Sequence, residues 1–371
     1  MKRKPAGQIR VEAVKTTKTF SFIEYLRGGL NISVVTCIDF TGSNGVPTHP
    51  KSLHYMSAGR LNQYQKAITS VCSILLNYDS DKLIPTYGFG AKPRFTQSPG
   101  QRTQTSHFFP LSGDYQNCAG KGVEGVFQLY NQAIASVELS GPTHFSPLLK
   151  EVINFTAASS AQEPDNYTVL LILTDGEIHD MSSTIDYIVS ASNLPLSIII
   201  VGIGNEEFRN MQILDGDDQR LMDSSGRYAK RDIVQFVPFK RFSRAGIDAL
   251  AEEVLRELPK QVTSYYSSIK RPPNPPVVVN ADNFLNVRSM IGKNLLNPNL
   301  KKDVAGQLRR ENDQKVAGNI IQQLPQYLNQ HYNHQGLPGR SDTGVSAGGH
   351  VTHFDAYEGV PKRDKNHVKI K

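Results

Sequence analysis

Two near-continuous apolar runs, YTVLLILT at 167–174 and LSIIIVGIG at 196–204, constrain this chain more than any other feature. Both are far shorter than the roughly 20 apolar residues of a membrane span. An unbroken run of aliphatic and β-branched residues suits a strand buried on both faces, and such strands occur in parallel sheets covered by helices. A third apolar strand is predicted over 31–39, with Ile32, Val34, Val35 and Ile38, and others at LIPTYGFG and DIVQFVPF; TSHFFPLS is predicted as an antiparallel edge strand. Between them, Tyr64, Ala67, Ile68, Val71, Ile74 and Leu75 recur at helical spacing in NQYQKAITSVCSILLNY. Further helices are predicted across GVEGVFQLYNQAIASV, across SPLLKEVINFTAAS with Pro147 in its first turn, at EEFRNMQ, and as one long helix over SRAGIDALAEEVLRELPKQVTSYYSS. Asp180 or Ser182 is the expected cap of the helix STIDYIVSAS. This alternation predicts an α/β fold: a doubly wound, mainly parallel central sheet with helices on both faces.

Right-handed crossovers bring the loops that follow parallel strands together at the carboxyl edge of such a sheet, where ligands bind. Asp39 and Asp175 each end one of these strands. In IDFTGSNG, Asp39, Thr41 and Ser43 alternate; SGPTHFSP supplies Thr143, and TDGE supplies Asp175. Hydroxyl and carboxylate oxygens suit Mg²⁺ or Mn²⁺, with Ca²⁺ as the third choice, and two carboxylates neutralise a doubly charged ion while hydroxyls add no charge. Such an ion stays electrophilic and can take an acidic side chain from a partner. Alone, Asp-x-Thr-x-Ser is more often a turn whose side chains bond their own backbone. The later threonine loop and Thr-Asp-Gly, in that order, favour a metal site.

Enzyme readings fare worse. A phosphatase nucleophile of the haloacid-dehalogenase kind needs a second acid two residues after Asp39, where Thr41 stands. Gly202-Ile203-Gly204 continues as Asn205, Glu206, Glu207 and so lacks the third glycine of a dinucleotide fingerprint; no phosphate-binding G-x-x-x-x-G-K-[ST] loop or nucleophile elbow occurs. A weak phosphotransferase is the least favoured function. His144 and His179 flank the site loops and are read as loop residues, His144 aiming toward a bound carboxylate. His144, Gly176 and Glu177 are the candidate partner contacts. Tyr87, Phe89 and Met181 near the strand ends belong either to a partner surface or to the rim of the core.

The strings IDFTGSNG, YDSDKLIPTYGFGAK, CAGKGVEGV, GPTHFSPLL, LLILTDGEIHDM, LPLSIIIVGIGNEEF, MQILDGDD and RDIVQFVPFKRF resemble the von Willebrand factor A-type domain of the copine family, from about Phe20 to Tyr266. The resemblance implies a metal-ion-dependent adhesion site at Asp39, Thr41, Ser43, Thr143 and Asp175, with Thr41, Ser43 and Thr143 touching the metal and the two aspartates acting largely through water. It also implies two calcium- and lipid-binding C2 domains ahead of this one, whereas 19 residues precede Phe20. AGQIRVEAVKTTKTFSFIEYLRGG resembles the last strand of such a domain running into a linker, and calcium-triggered membrane docking is not assigned to this chain. The expected organisation is a remnant of a C2-type strand and linker over 1–19, the von Willebrand factor A-type domain over 20–270, and a proline-rich boundary with a basic, low-complexity, largely disordered tail over 271–371.

Three cysteines (Cys37, Cys72, Cys118) do not make a disulfide framework, and the opening MKRKPAGQIR is basic and polar, which points to a reducing, cytoplasmic setting. Sequons at Asn31, Asn154 and Asn166 are then incidental. The net charge of +7 is unevenly spread: residues 1–20 carry six Lys or Arg against one Glu, and 270–371 carry fifteen against eight acids, which leaves −5 for the residues between. Basic ends can meet anionic lipid, and a peripheral membrane adaptor, at the plasma membrane, is the alternative function; no nucleic-acid partner is expected. The main reading is an adaptor that binds an intracellular protein through an acidic contact residue. In the tail, Leu308, Val316, Ile320, Ile321 and Leu324 form an apolar stripe interrupted by Pro325, and His331, His334, His350 and His353 are read as incidental. Limited proteolysis is expected to cut first near RPPNPP at 271–276 and to leave a resistant core of about residues 20–270; a tail that survives as long as the core would reveal a second domain.

Overall fold

Five parallel strands lie at the centre of the computed structural model, which describes residues 16 and 18–276 apart from 58, 80, 97–103, 177, 218 and 244–246, together with the backbone of 352–354 and 361–363. Helix α1 (Phe22–Arg27) leads into β1 (Asn31–Asp39); α2 (Gln63–Ala67), a π-helical stretch Ile68–Cys72 and α3 (Ser73–Leu75) then form one rod. There follow β2 (Leu83–Phe89), β3 (Ala91–Pro93), β4 (Phe109–Pro110), β5 (Ala119–Lys121), α4 (Gly122–Ser136) and β6 (Val137–Leu139). The second half alternates regularly: α5 (Ser146–Gln162), β7 (Asn166–Thr174), α6 (Met181–Ala191), β8 (Leu196–Gly202), α7 (Arg209–Asp215) and β9 (Val234–Pro238), closed by α8 (Phe239–Ser243), α9 (Ile247–Leu255) and α10 (Leu258–Ser268).

The sheet order is β4-β2-β1-β7-β8-β9, with β5 also on β2; β4 and β5 run antiparallel to β2 and the other pairs are parallel. Helices cover both faces. The apolar runs behave as their composition requires: Val169, Leu170, Leu171, Ile172 and Leu173 are all fully buried, as are Leu196 and Ile198. All three cysteines are free and buried. Two of the sequons lie in the sheet, where Asn31 donates to the Asn166 side-chain oxygen at 3.1 Å.

Several expectations change. The long terminal helix is broken, because Pro259 in the first turn of α10 cannot donate a hydrogen bond and its ring displaces the preceding turn. The edge strand at TSHFFPLS shrinks to Phe109–Pro110, since proline withdraws a ladder donor. The three-residue strands β3, β5 and β6 were too short to show a period. Residues 22–27 form α1 rather than a strand or linker: Ser21 Oγ accepts from the Glu24 amide at 3.3 Å and the Glu24 carboxylate accepts from the Ser21 amide at 2.8 Å, a capping box. Expectations for 277–371, including the apolar stripe and the histidines, lie outside the described residues, except that the backbone of Thr352–Phe354 pairs antiparallel with Pro361–Arg363.

The two ends of the domain meet at the amino edge of the sheet. Tyr25 stacks on Tyr266 with centroids 5.0 Å apart and donates to the Arg271 carbonyl at 2.9 Å. Arg271 in turn pairs with Asp165 at 2.8 Å, and Asn274 donates to the Gly28 carbonyl.

At the same edge Asp79 and Asp81 are both buried, and each carboxyl bears on the other. Asp79 accepts from the amides of Val34 and Lys82, at 3.0 and 2.8 Å; Asp81 Oδ1 accepts from the Leu83 amide, while its buried Oδ2 has no hydrogen-bond partner. Burial, and then repulsion by Asp81, push Asp79 up to about 8. A carboxyl whose pKa is raised on folding stabilises most below its unfolded pKa of about 4 and loses that contribution as pH climbs toward 8. Asp81→Asn removes the like charge beside Asp79. It is expected to stabilise the domain at pH 8 by on the order of 1–3 kcal/mol and to flatten the decline in stability between pH 5 and 8. Urea unfolding at the two pH values checks this, and an unchanged slope would show that Asp81 does not hold the Asp79 carboxyl up.

Candidate metal centre

The strand order reverses at β1, with β2 on one side and β7 on the other, and the carboxyl ends of β1 and β7 deliver Asp39 and Asp175 to that point. Asp39 is fully buried. Its Oδ1 accepts from the Thr41 amide at 2.8 Å and the Thr41 hydroxyl at 2.6 Å, and its Oδ2 accepts from the Thr174 hydroxyl at 2.7 Å. A 3-10 turn over Gly42–Asn44 then places Ser43 Oγ 2.9 Å from Thr41 Oγ. Burial pushes the Asp39 carboxyl up, and bonds from Thr41, Thr174 and the Asp175 amide draw it back. These donors are all neutral, so the carboxylate's charge is solvated by dipoles but not cancelled. A divalent cation would offset that burial, and hydroxyls plus carboxylates are the hard oxygen donors that Mg²⁺ or Mn²⁺ prefers.

The Thr143 loop is tied to both neighbours. Thr41 bridges to Ser140 on one side. On the other, the His179 amide donates to the Thr143 carbonyl at 2.9 Å, and His179 Nδ1 accepts from the Thr143 amide at 3.3 Å. The Asp180 carboxylate accepts from the amides of Phe145 and Ser146 at 3.0 and 2.7 Å. Asp180 therefore caps the start of α5 instead of its own helix, α6, where it makes no side-chain cap. All five expected ligands thus lie on three joined loops. Asp39, Thr41, Thr143 and Asp175 are buried and Ser43 is exposed; Ser43 and Asp175 line an open groove of roughly 680 Å³ between residues 43–53 and 203–206.

The other candidates separate. His144 lies against His107, with ring centroids 4.7 Å apart. His179, read from the sequence as a bystander, is exposed but clamps the Thr143 loop. Gly176, expected to face a partner, is buried at φ +100°, and a Cβ there would come 2.2 Å from Phe208 Cδ1, so its role is to let that ring approach. Glu177 lies outside the described residues. Tyr87 and Phe89 belong to the core: both are fully buried, Tyr87 stacked on Phe108 and Phe89 edge-on to Phe145.

Sequence reasoning missed the layer beneath the site. His54 is fully buried between the rings of Phe40 and Tyr64, at centroid distances of 5.3 and 4.2 Å. Its Nε2 lies 2.9 Å from the Asp39 carbonyl oxygen, which can only accept, so Nε2 carries the proton and Nδ1 accepts from Tyr130 OH at 2.8 Å. Burial drives His54 down to about 3, which keeps it neutral. Neither THPKSLHYMS nor the lone Tyr130 carries a periodicity that would have marked them.

Comparison with known proteins shows the family. The chain is 46% identical over 274 residues to copine-C and 44% over 272 residues to copine-A, both of Dictyostelium discoideum, covering 74% and 73% of this chain. It spans about half the length of these curated relatives, 49% and 44%. Among solved structures it is similar to manganese-loaded TRAP protein of Plasmodium vivax (12% identity, TM-score 0.35, 60% of this chain and 72% of that one). It is also similar to proximal thread matrix protein 1 of the mussel byssus with a zinc-occupied MIDAS motif (15% identity, TM-score 0.33, 60% and 48%). The profile of the copine family matches residues 52–274, and with these relatives it shows that this chain belongs to the copine family.

Proposed function

We propose that this chain is a divalent-metal-dependent protein-interaction module of the cytoplasm. In this reading Thr41, Ser43 and Thr143 hold Mg²⁺ or Mn²⁺, Asp39 and Asp175 act largely through water, and an acidic side chain of a partner protein completes the coordination. The observation that carries it is the buried Asp39 carboxylate, held only by neutral donors beside two adjoining hydroxyls at the switch point of the sheet. The ion would supply a Lewis-acidic position for a carboxylate. The chain's own residues supply its orientation: Asp39 fixes the Thr41 hydroxyl, and His179 fixes the Thr143 loop. In this reading the site does binding chemistry. Among the described residues no helix is long and apolar enough to cross a membrane.

Asp39→Ala combined with Asp175→Ala removes both formal charges. Calorimetry is expected to show no Mn²⁺ or Mg²⁺ binding while circular dichroism stays native, at a loss of stability on the order of 1–3 kcal/mol for the bonds to Asp39. Undiminished binding by the double variant would sink the site assignment.

Partner capture separates this mechanism from an electrostatic membrane adaptor. EDTA or Thr143→Ala is expected to abolish retention of the principal partner from cell lysate, whereas deleting 277–371 weakens it only modestly and salt has little effect. Retention that survives EDTA but vanishes in high salt, or with the tail removed, would favour the basic ends and anionic lipid instead.

A further inference from the structure

We propose that Tyr64 and Asn44 are positioning residues for the metal centre: the Tyr64 hydroxyl fixes the Asn44 amide, and that amide orients the Thr41 hydroxyl so that one of its lone pairs is turned to a divalent cation. The inference rests on the metal reading above and assigns work to residues outside the ligand set.

The hydroxyl of Thr41 has one proton and two lone pairs. Its proton goes to Asp39 Oδ1, an acceptor only, at 2.6 Å. Asn44 Nδ2 approaches Thr41 Oγ at 3.4 Å and donates to the Thr41 carbonyl at 3.2 Å, which accounts for one lone pair and ties both ends of the residue to one amide. The remaining contact is Ser43 Oγ at 2.9 Å; with Thr41's proton committed to Asp39, Ser43 is the donor there. Ser43 is exposed, so its proton can rotate away, and the lone pair it faces is the one a cation would take.

The arrangement works only while the Asn44 amide keeps its nitrogen toward Thr41. An amide rotated by half a turn would set its oxygen against the Thr41 carbonyl. Tyr64 prevents that rotation: its hydroxyl donates to Asn44 Oδ1 at 2.7 Å. Burial, followed by the nearby carboxylates of Asp39 and Asp175, keeps the phenol well above its ordinary pKa and hence a donor. Tyr64 is fully buried and Asn44 is 2% exposed, so water does not compete. The ring of Tyr64 is held by His54, stacked 4.2 Å away at 16° and itself bonded to the Asp39 carbonyl. The tyrosine, histidine and asparagine therefore form one rigid floor under the ligands.

Tyr64→Phe removes the donor and keeps the ring. Calorimetric titration with Mn²⁺, Mg²⁺ and Ca²⁺ is expected to show Mn²⁺ and Mg²⁺ binding weakened about tenfold, as for other residues that orient metal ligands. Ca²⁺, which tolerates irregular geometry, should lose less, so the Mg²⁺-to-Ca²⁺ preference falls. A purely structural tyrosine would lower the unfolding midpoint without moving that preference. Asn44→Ala carries the same expectation and serves if Tyr64→Phe does not fold. Wild-type chain that binds no Mn²⁺ overturns the metal reading and the positioning role together. Wild-type binding that Tyr64→Phe leaves intact, or weakens equally for all three ions, overturns the positioning role alone.

Discussion

A carboxylate buried at the end of a central strand is the interaction on which the functional corner of this domain depends. Asp39 cannot be solvated by water, so Thr41, Thr174 and the backbone do it instead, and those bonds tie the turn after β1 to the end of β7. A polar group in such a place is tolerated only if its hydrogen bonds are made. The requirement that keeps Asp39 soluble in the protein thereby lines up the hydroxyls of Thr41 and Ser43. Stability and site geometry here have one physical origin.

The layer below repeats this logic with neutral groups. His54, Tyr64 and Tyr130 bring polar atoms into a fully buried stack, and each is bonded: His54 to the Asp39 carbonyl and Tyr130, Tyr64 to Asn44. Aromatic faces supply rigidity, and the polar atoms of each ring supply direction. In the loop over residues 42–57 the buried side chains are Asn44, Ser52 and His54, while most of the others are exposed.

The opposite edge of the sheet has a separate role. Tyr25, Arg271 and Asn274 clasp the entering and leaving chain there, and the Asp79–Asp81 pair lies beside the start of β1. The described part of the domain therefore begins and ends at the edge remote from Asp39 and Asp175.

Periodicity and strand-end chemistry determined much of this protein from the sequence alone. The continuous apolar runs of β7 and β8 have no solvent-facing side, and so they specify a covered parallel sheet; parallel topology then brings Asp39 and Asp175 to one edge whatever the loop details. Local rules did less well wherever partners are distant in sequence. Asp180 has the right position to cap α6, yet it caps α5, because the amides of Phe145 and Ser146 come closer to it in space. Gly176 looked like an exposed turn, and only the approach of Phe208, more than thirty residues later, shows why a side chain is excluded. His54, Tyr64 and Tyr130 carry no motif, since their bonds to Asp39, Asn44 and one another exist only once α4 and the α2–α3 rod have packed on the sheet. What the sequence determines is the set of strands and the charges at their ends; the tertiary structure decides which neutral groups hold those charges, because a hydrogen bond is set by distance in space and not by spacing along the chain.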